Sequence, residues 1–352
     1  METKIHVNLG PNSYDICIAP GLLNDLAQKL KPVYPQGKVF IVTDEHVDAI
    51  YGEKVVDSLQ KAGYETTKLV LPAGEKTKAY ATMANVYAEM ARAKLTRKDL
   101  VLTLGGGVIG DLGGFAAATY LRGLSFVQVP TSLLAQVDSS VGGKVGVDLP
   151  EGKNLVGAFC QPKAVFIDPE ALDTLPDRFY RDGMAEVIKY GCILDLAFFE
   201  KLEGIQNREE AKAHMQQIVA TCCDLKRQMV EQDERDLGLR MLLNFGHTIG
   251  HAIEKCHGYE DYTHGEAVAI GMVEMTQRTE RRGITPQGTA QRIERLCRQY
   301  GLPVRDEKAD FTSIASAITM DKKNLGKTLK IVALEQLGKG VLVDTDPSFL
   351  EW

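Results

Sequence analysis

The chain has 352 residues, 44% hydrophobic and 25% charged, with a formal net charge of −6. That length exceeds what one hydrophobic core usually serves, so two domains are expected, and the composition excludes a disordered, collagen-like or coiled-coil protein. The acidic balance argues against a general nucleic-acid binder, and no apolar run reaches the ~18 residues of a membrane span.

In chain order, Val39-Phe40-Ile41-Val42 reads as a buried strand ending at Thr43-Asp44. A helical pattern follows to about Gly63, and Thr67–Leu71 is the next strand. Residues 77–94 carry Met83, Val86, Tyr87 and Met90 at helical spacing. Leu100–Leu104 is a third strand and Phe126–Val129 a fourth, stopped by Pro130. Alternating strands and helices predict a parallel sheet with crossover helices. From about 169 the pattern is helical, over 176–203, 207–231, 239–256, 264–282, 286–300 and 310–320, with a late β pair at Lys330–Leu334 and Gly340–Val343. The predicted fold class is an N-terminal Rossmann-like parallel-sheet α/β domain over 1–168, followed by a mainly helical C-terminal domain over 169–352.

Glycine is unevenly spread. Twelve of the 33 fall between Gly105 and Gly157, where an even spread would place about five. Gly105-Gly106-Gly107-Val108-Ile109-Gly110 matches G-x-G-x-x-G directly after a predicted strand. Bare backbone lets N–H groups approach a pyrophosphate at a helix N-terminus; a tight packing turn reads equally well. The motif follows the third predicted strand rather than the first, and the next strand runs into Pro130-Thr131-Ser132 without an acidic end. Asp44, at a strand tip, either holds an adenosine ribose or caps a helix. Glu75 and Lys78 sit at another strand's C-terminal end, where open α/β sheets bind ligands.

On a helix over 239–256, Arg240, Asn244, His247 and His251 fall within about 60° of one another. Arg, Asn and two His, backed by Gly246 and Gly250, read as a cavity wall with close backbone approach rather than a solvated face. His264 opens the next helix, and Glu186 is a carboxylate amid apolar neighbours. Two histidines and a carboxylate suit a catalytic Zn2+ with an open position; buried ion pairing is the competing account. Arg122, Lys144, Lys153, Lys226 and Arg240 add positive charge in glycine-rich or helical settings, which suggests an anionic substrate, although each taken singly reads as a surface cation. Seven scattered cysteines without a CxxC pair, and an N-terminus without the plan of a signal peptide, lead to an expected cytoplasmic location.

Taken together, LGGGVIGD (104–111), PTSLLAQVDSSVGGK (130–144), GKNLVGAF (152–159), AEVIKYG (185–191), NFGHTIGHAIE (244–254) and HGEAVAIGM (264–272) resemble the 3-dehydroquinate synthase family, in order and over nearly the whole chain. The resemblance implies an NAD-dependent, Zn2+- or Co2+-requiring lyase of the shikimate pathway, acting on a phosphorylated sugar acid, commonly as a homodimer. It implies Glu186, His247 and His264 as metal ligands. It puts Asp44, Glu75, Lys78, Gly106, Gly107, Val108, Asp111, Thr131, Ser132 and Thr174 on NAD-contacting positions, with Lys144 and Lys153 near nicotinamide and substrate. Asp138, Asn154, Lys189, Lys226, Arg240, Asn244 and His251 match substrate positions. Arg122 matches an arginine that reaches a neighbouring subunit's phosphate site, and Lys330 a further phosphate ligand. Ser132, Val145 and Phe245 depart from the residues usual there and remove no charged or metal-binding group.

The rival readings are other sugar-phosphate cyclases, such as 2-deoxy-scyllo-inosose synthase, metal-dependent dehydrogenases of the glycerol dehydrogenase type, and a non-catalytic NAD-binding regulator. The dehydrogenases have no need of the Lys144, Lys153, Lys226, Arg240 and His251 set. Lys226 with Arg240 favours a carboxylate-bearing substrate among the cyclases. A regulator has no use for an open metal site.

Overall fold

A computed structural model describes residues 1–258, 260–308, 329–346 and 349. The chain divides into two compact units, one formed by Met1–Leu175 with Lys226–Arg235 and the other by Pro176–Leu225 with the chain from Asp236 onward.

In the first unit the elements run β1 (Thr3–Val7), β2 (Tyr14–Ile18), α1 (Leu26–Leu30), β3 (Lys38–Asp44), α2 (Glu45–Val47), α3 (Glu53–Lys61), β4 (Glu65–Leu71) and α4 (Tyr80–Arg92). They continue with β5 (Leu100–Gly105), α5 (Gly107–Thr119), β6 (Ser125–Pro130), β7 (Lys144–Leu149), β8 (Gly152–Phe159) and β9 (Ala164–Ile167). Seven strands form one sheet in the order β1-β2-β9-β6-β5-β3-β4. β1 pairs antiparallel with β2, and every other pairing in this sheet is parallel. β7 and β8 form a separate antiparallel hairpin.

The apolar runs explain the central strands. Ile41, Leu102 and Val127 pack on one face with Leu26, Val55 and Leu59, while Phe40, Val101 and Phe126 pack on the other with Met83, Val86 and Leu112. Strands covered on both faces read as continuous hydrophobic runs, which is why β3, β5 and β6 were legible. β1, β2, β7, β8 and β9 were not predicted. β1 and β2 are short and half-polar, and β9 is a four-residue run. β8 is interrupted by Gly152 and Gly157.

The second unit holds α6 (Asp177–Leu194), α7 (Leu196–Gly204), the start of α8 (Arg208–Gln232), α9 (His247–Cys256), α10 (His264–Arg281) and α11 (Thr289–Gln299), then β10 (Leu329–Gln336) and β11 (Lys339–Thr345). The late β pair is present, antiparallel with a bulge between Leu334 and Gln336. Two predicted helices prove to be broken. Over 176–203 the break is Asp195, extended at φ −154°, whose side chain accepts the Phe198 N–H at 3.0 Å and caps α7. Over 239–256 a 3-10 turn, Leu239–Asn244, is followed by Gly246 at φ 80° before α9 begins at His247. The helix expected over 310–320 lies outside the described residues. Among those described, no helix is long and apolar enough to cross a membrane.

Candidate active site

In the first unit the chain runs from β3 out to edge strand β4, then returns to the other side of β3 as β5. Connections therefore leave β3 and β5 in opposite directions, and the crevice at such a switch point is where open α/β sheets take ligands. Asp44 ends β3, and Gly105 to Gly107 lead from β5 into α5. The glycine turn follows the third predicted strand because that strand borders the crevice.

The glycines here do two jobs. Gly106 is the N-cap of α5 and offers no side chain to its first N–H groups, and the first turn carries no acidic residue, so the positive end is left to an anion. A Cβ on Gly106 or Gly107 would come within 3.2 Å of Ser132 Oγ or 3.1 Å of Ser139 Oγ. Farther along, Cβ atoms on Gly110, Gly113 and Gly114 would lie 2.7, 2.5 and 2.5 Å from Gln128, Thr103 and Val145, so these three serve close packing. Close packing thus accounts for Gly110, Gly113 and Gly114, while Gly106 and Gly107 leave the start of α5 open. In the second half of the surplus, Gly146 and Gly157 face each other across β7 and β8, and a Cβ on either would meet the opposite backbone at 2.8 or 2.5 Å.

Asp44 caps α2: its Oδ1 accepts the N–H groups of His46 and Val47 at 3.0 and 3.1 Å, and Oδ2 takes no part in that cap. Lys78 is 6% exposed and pairs with Asp111 Oδ2 at 2.5 Å. Burial by itself would lower the Lys78 pKa, but Asp111 and Glu75 hold it above its ordinary value. Lys153 Nζ lies 3.7 Å from Glu75. Thr131 is buried, Ser132 and Val108 half-buried, and Thr174 bonds the Tyr51 hydroxyl at 2.8 Å. Lys226 donates to both the carbonyl oxygen and Oδ1 of Asp138, each at 2.6 Å. Lys144 is exposed beyond the turn Gly142-Gly143, at φ 97° and 69°. Asn154 is held at φ 56° with its N–H on Asp148 Oδ1 at 2.7 Å.

In the second unit α6, α9 and α10 bring three predicted ligands together. The ligand atoms of Glu186, His247 and His264 all lie within 4.8 Å of one another. His247 Nε2 is 3.6 Å and His264 Nε2 3.7 Å from Glu186 Oε1, while Lys189 pairs with Oε2. Glu186 is fully buried. Burial first, then the charge of Lys189 and the neighbouring histidines, holds His247 well below its ordinary pKa, so it presents a neutral ring. For His264, burial alone would lower the pKa, yet Glu254, Glu186 and Asp182 push it up to about 9. A divalent ion would displace that proton, and the donor set of two imidazoles and one buried carboxylate fits Zn2+ or Co2+.

The single polar stripe from Arg240 to His251 is corrected by Gly246. Arg240 and Asn244 lie on the 3-10 turn, and only His247 and His251 share α9, their ring centroids 5.3 Å apart. The expected close approach is real, but its partner is α10: a Cβ on Gly246 would meet Met272 Cγ and Val268 O at 2.7 Å. Arg240 is buried, whereas Asn244 and His251 are exposed. Lys330 is half-exposed on β10, 3.7 Å from Asp344, its cross-strand partner on β11, in a hairpin that packs against the turn bearing Arg240. Two carboxylates were missed. Asp182 accepts the Gly265 N–H at 2.5 Å, and Glu254 reaches His264. The signal for Glu254 was its place three residues after His251 and seven after His247, on the same face of α9.

A sheet switch point with an uncapped glycine turn, and two histidines clustered with one buried carboxylate, define the class as a dinucleotide- and metal-dependent enzyme. Family models for the 3-dehydroquinate synthase N-terminal and C-terminal regions match residues 68–182 and 183–324. The chain is 53% identical to a 3-dehydroquinate synthase of Clostridium botulinum, covering 99% of each, and 44% identical to one of Enterococcus faecalis, covering 97% and 95%. A 2-deoxy-scyllo-inosose synthase solved with carbaglucose-6-phosphate, NAD+ and Co2+ superposes with a TM-score of 0.89 at 25% identity, covering 99% and 98%. A 2-epi-5-epi-valiolone synthase of Streptomyces hygroscopicus, solved with NAD+ and Zn2+, gives 0.87 at 27% identity, covering 96% and 94%. The chain belongs to the 3-dehydroquinate synthase family.

Proposed function

We infer that this chain converts 3-deoxy-D-arabino-heptulosonate 7-phosphate to 3-dehydroquinate and inorganic phosphate, the carbon–oxygen lyase step its family contributes to the shikimate pathway. What carries this reading is the 53% identity to a 3-dehydroquinate synthase over 99% of both chains, against 25% for the 2-deoxy-scyllo-inosose synthase. The reaction oxidises one alcohol transiently, expels phosphate by β-elimination, restores the alcohol, opens the ring and closes a carbocycle by intramolecular aldol addition. When bound, NAD would supply the hydride acceptor and donor, and a divalent ion would supply the Lewis acid for the alcohol that is oxidised.

The NAD-binding role is proposed for residues 1–168 and the metal- and substrate-binding role for residues 169–352, with Thr174 reaching back to the dinucleotide. The N–H groups of Gly106, Gly107 and Val108 would take the pyrophosphate, and Asp44 Oδ2 would accept from a ribose hydroxyl. Glu75, Lys78, Asp111, Thr131 and Ser132 line the remainder. Lys144 and Lys153 would serve the nicotinamide and substrate. Glu186, His247 and His264 would hold the ion, and Lys189 pairs with the carboxylate of Glu186 at full burial. Asp138, Asn154 and Lys226 in one unit, and Lys189, Arg240, Asn244 and His251 in the other, each offer groups suited to a polyhydroxy acid phosphate. His251 is exposed beside both ligand histidines and suits proton transfer. Incubating the protein with the heptulosonate phosphate, NAD+ and Zn2+ should release phosphate and dehydroquinate in equal amounts, with loss of turnover when either NAD+ or metal is withheld. No product with both present overturns the reading.

In this reading the chain works as a homodimer in the cytoplasm. None of its seven cysteines is in a disulfide, as a reducing compartment requires. Leu121 and Arg122 are consecutive non-glycine residues at φ 51° and 69°, both exposed. Such conformations cost about 1–3 kcal/mol each, persist only where the surrounding structure over-determines them, and cluster at active sites and ligand clamps. Arg122 is presented to the phosphate site of a neighbouring subunit. Mixing Arg122→Ala subunits with His264→Ala subunits should restore part of the activity; demonstrated mixed dimers without any recovery would count against sharing.

A further inference from the structure

The two imidazoles of the metal set are anchored differently. His247 and His264 both turn Nε2 toward Glu186. A neutral imidazole has one donor nitrogen and one acceptor nitrogen, so whatever accepts from Nδ1 decides whether Nε2 carries the lone pair. Behind His247 the acceptor is an uncharged one, the Phe245 carbonyl, 3.1 Å from Nδ1. Behind His264 it is a carboxylate: Glu254 Oε2 lies 3.4 Å from Nδ1, and Glu254 is 2% exposed. The His247 side chain is 12% exposed and closely packed, whereas that of His264 is 29% exposed, so packing confines the second ring less.

We propose that Glu254 is a positioning residue for the metal: its carboxylate accepts the Nδ1–H of His264, fixes the tautomer that leaves Nε2 as ligand, and strengthens that nitrogen as a donor. The proposal rests on reading Glu186, His247 and His264 as the ligands. Two features of α9 and α10 bring the pair together. Glu254 sits one helical turn beyond His251 on α9. His264 opens α10, where the side chain of Thr263 caps the helix and Asp182 holds the Gly265 N–H, so the Cα of His264 is fixed from both sides. The backbone is thus set independently of Glu254, and the carboxylate acts on the ring. Partners of this kind behind ligand histidines are worth about 10- to 100-fold in metal affinity.

A rival use of the same carboxylate is direct ligation of a second ion, since ligand atoms of His251, Glu254 and His264 also lie within 4.8 Å of one another. Competition of the full chain with a chelator for Zn2+, together with the visible absorption of the Co2+ form, separates these readings. Glu254→Gln preserves shape and an acceptor oxygen, and should weaken Zn2+ binding about tenfold with an apo-protein Tm close to the parent; Glu254→Ala should approach 100-fold. Both should shift the Co2+ bands, and the parent should bind one ion per chain. His264→Ala serves as the ligand control. Parent-like metal affinity in His264→Ala would overturn the ligand reading itself. Loss of metal in His264→Ala, with parent-like affinity and Co2+ bands in both Glu254 variants, would overturn the positioning role alone. Two ions per parent chain falling to one in Glu254→Gln would also overturn it, in favour of direct ligation.

Discussion

Replacing His264 by alanine is expected to abolish metal retention and to lower turnover about 10^3-fold or more while the protein stays folded. Lewis-acid stabilisation by a metal supplies several kcal/mol of the barrier, and each 1.36 kcal/mol is a factor of ten. The fold should tolerate the change because the start of α10 does not depend on the imidazole. Thr263 and Glu266 form a reciprocal capping box, Asp182 binds the Gly265 N–H, and the His264 side chain is 29% exposed, so its removal leaves no sealed cavity. Glu186 would make a poorer probe. It is fully buried against Lys189, and neutralising it leaves an ammonium in the interior, a change that costs about 3–5 kcal/mol in comparable buried pairs. Metal content after gel filtration, phosphate release and thermal melting of His264→Ala decide the matter together. Full activity in metal-free His264→Ala would remove the ligand assignment, and an unfolded variant would contradict the independence of the α10 cap.

How much of this was legible in the sequence depends on whether a residue's role is local. Strands β3, β5 and β6 declared themselves because both faces are buried and their centres, Val39–Val42, Leu100–Leu102 and Phe126–Val127, are apolar runs. The cluster of Glu186, His247 and His264 was legible because a buried glutamate and two helix-borne histidines are costly residue types to place in an apolar setting. What sequence could not give is tertiary pairing. Asp44 was read as either a cap or a ribose ligand, and the structure shows the cap made through one oxygen only. Lys78 and Asp111 were both assigned to NAD contacts on resemblance, and their mutual pairing across 33 residues had no local signal. The Arg240–His251 stripe assumed one helical phase, and a single left-handed glycine at 246 reset it. Glu254 escaped because its partner, His264, lies on another helix.

The glycines of α9 and α10 carry the second large prediction. A Cβ on Gly271 would lie 2.0 Å from the Gly246 carbonyl oxygen and 3.0 Å from the Gly250 nitrogen, and one on Gly265 would lie 2.0 Å from the Asp182 carbonyl oxygen. These neighbours are backbone, which no rotamer change can move, so either substitution must push helices apart. Overpacking costs about 1–3 kcal/mol and more where nothing flexible gives way. Alanine in a helix interior recovers about 1 kcal/mol of propensity, which the clash exceeds. Gly271→Ala and Gly265→Ala should therefore lower the apo-protein Tm by several degrees. The same displacement should act on the candidate metal site, because Gly246 precedes His247 and Gly265 follows His264, two of the proposed ligands. Both variants should lose Zn2+ affinity by more than their loss of stability explains, seen as a smaller gain in Tm on adding Zn2+. Gly204→Ala is the matched control: a Cβ there meets nothing within 4 Å and its backbone is not left-handed, so stability and metal binding should stay at the parent's level. If Gly271→Ala melts and binds Zn2+ as Gly204→Ala does, backbone contact between α9 and α10 is not what sets the distance between the ligand histidines.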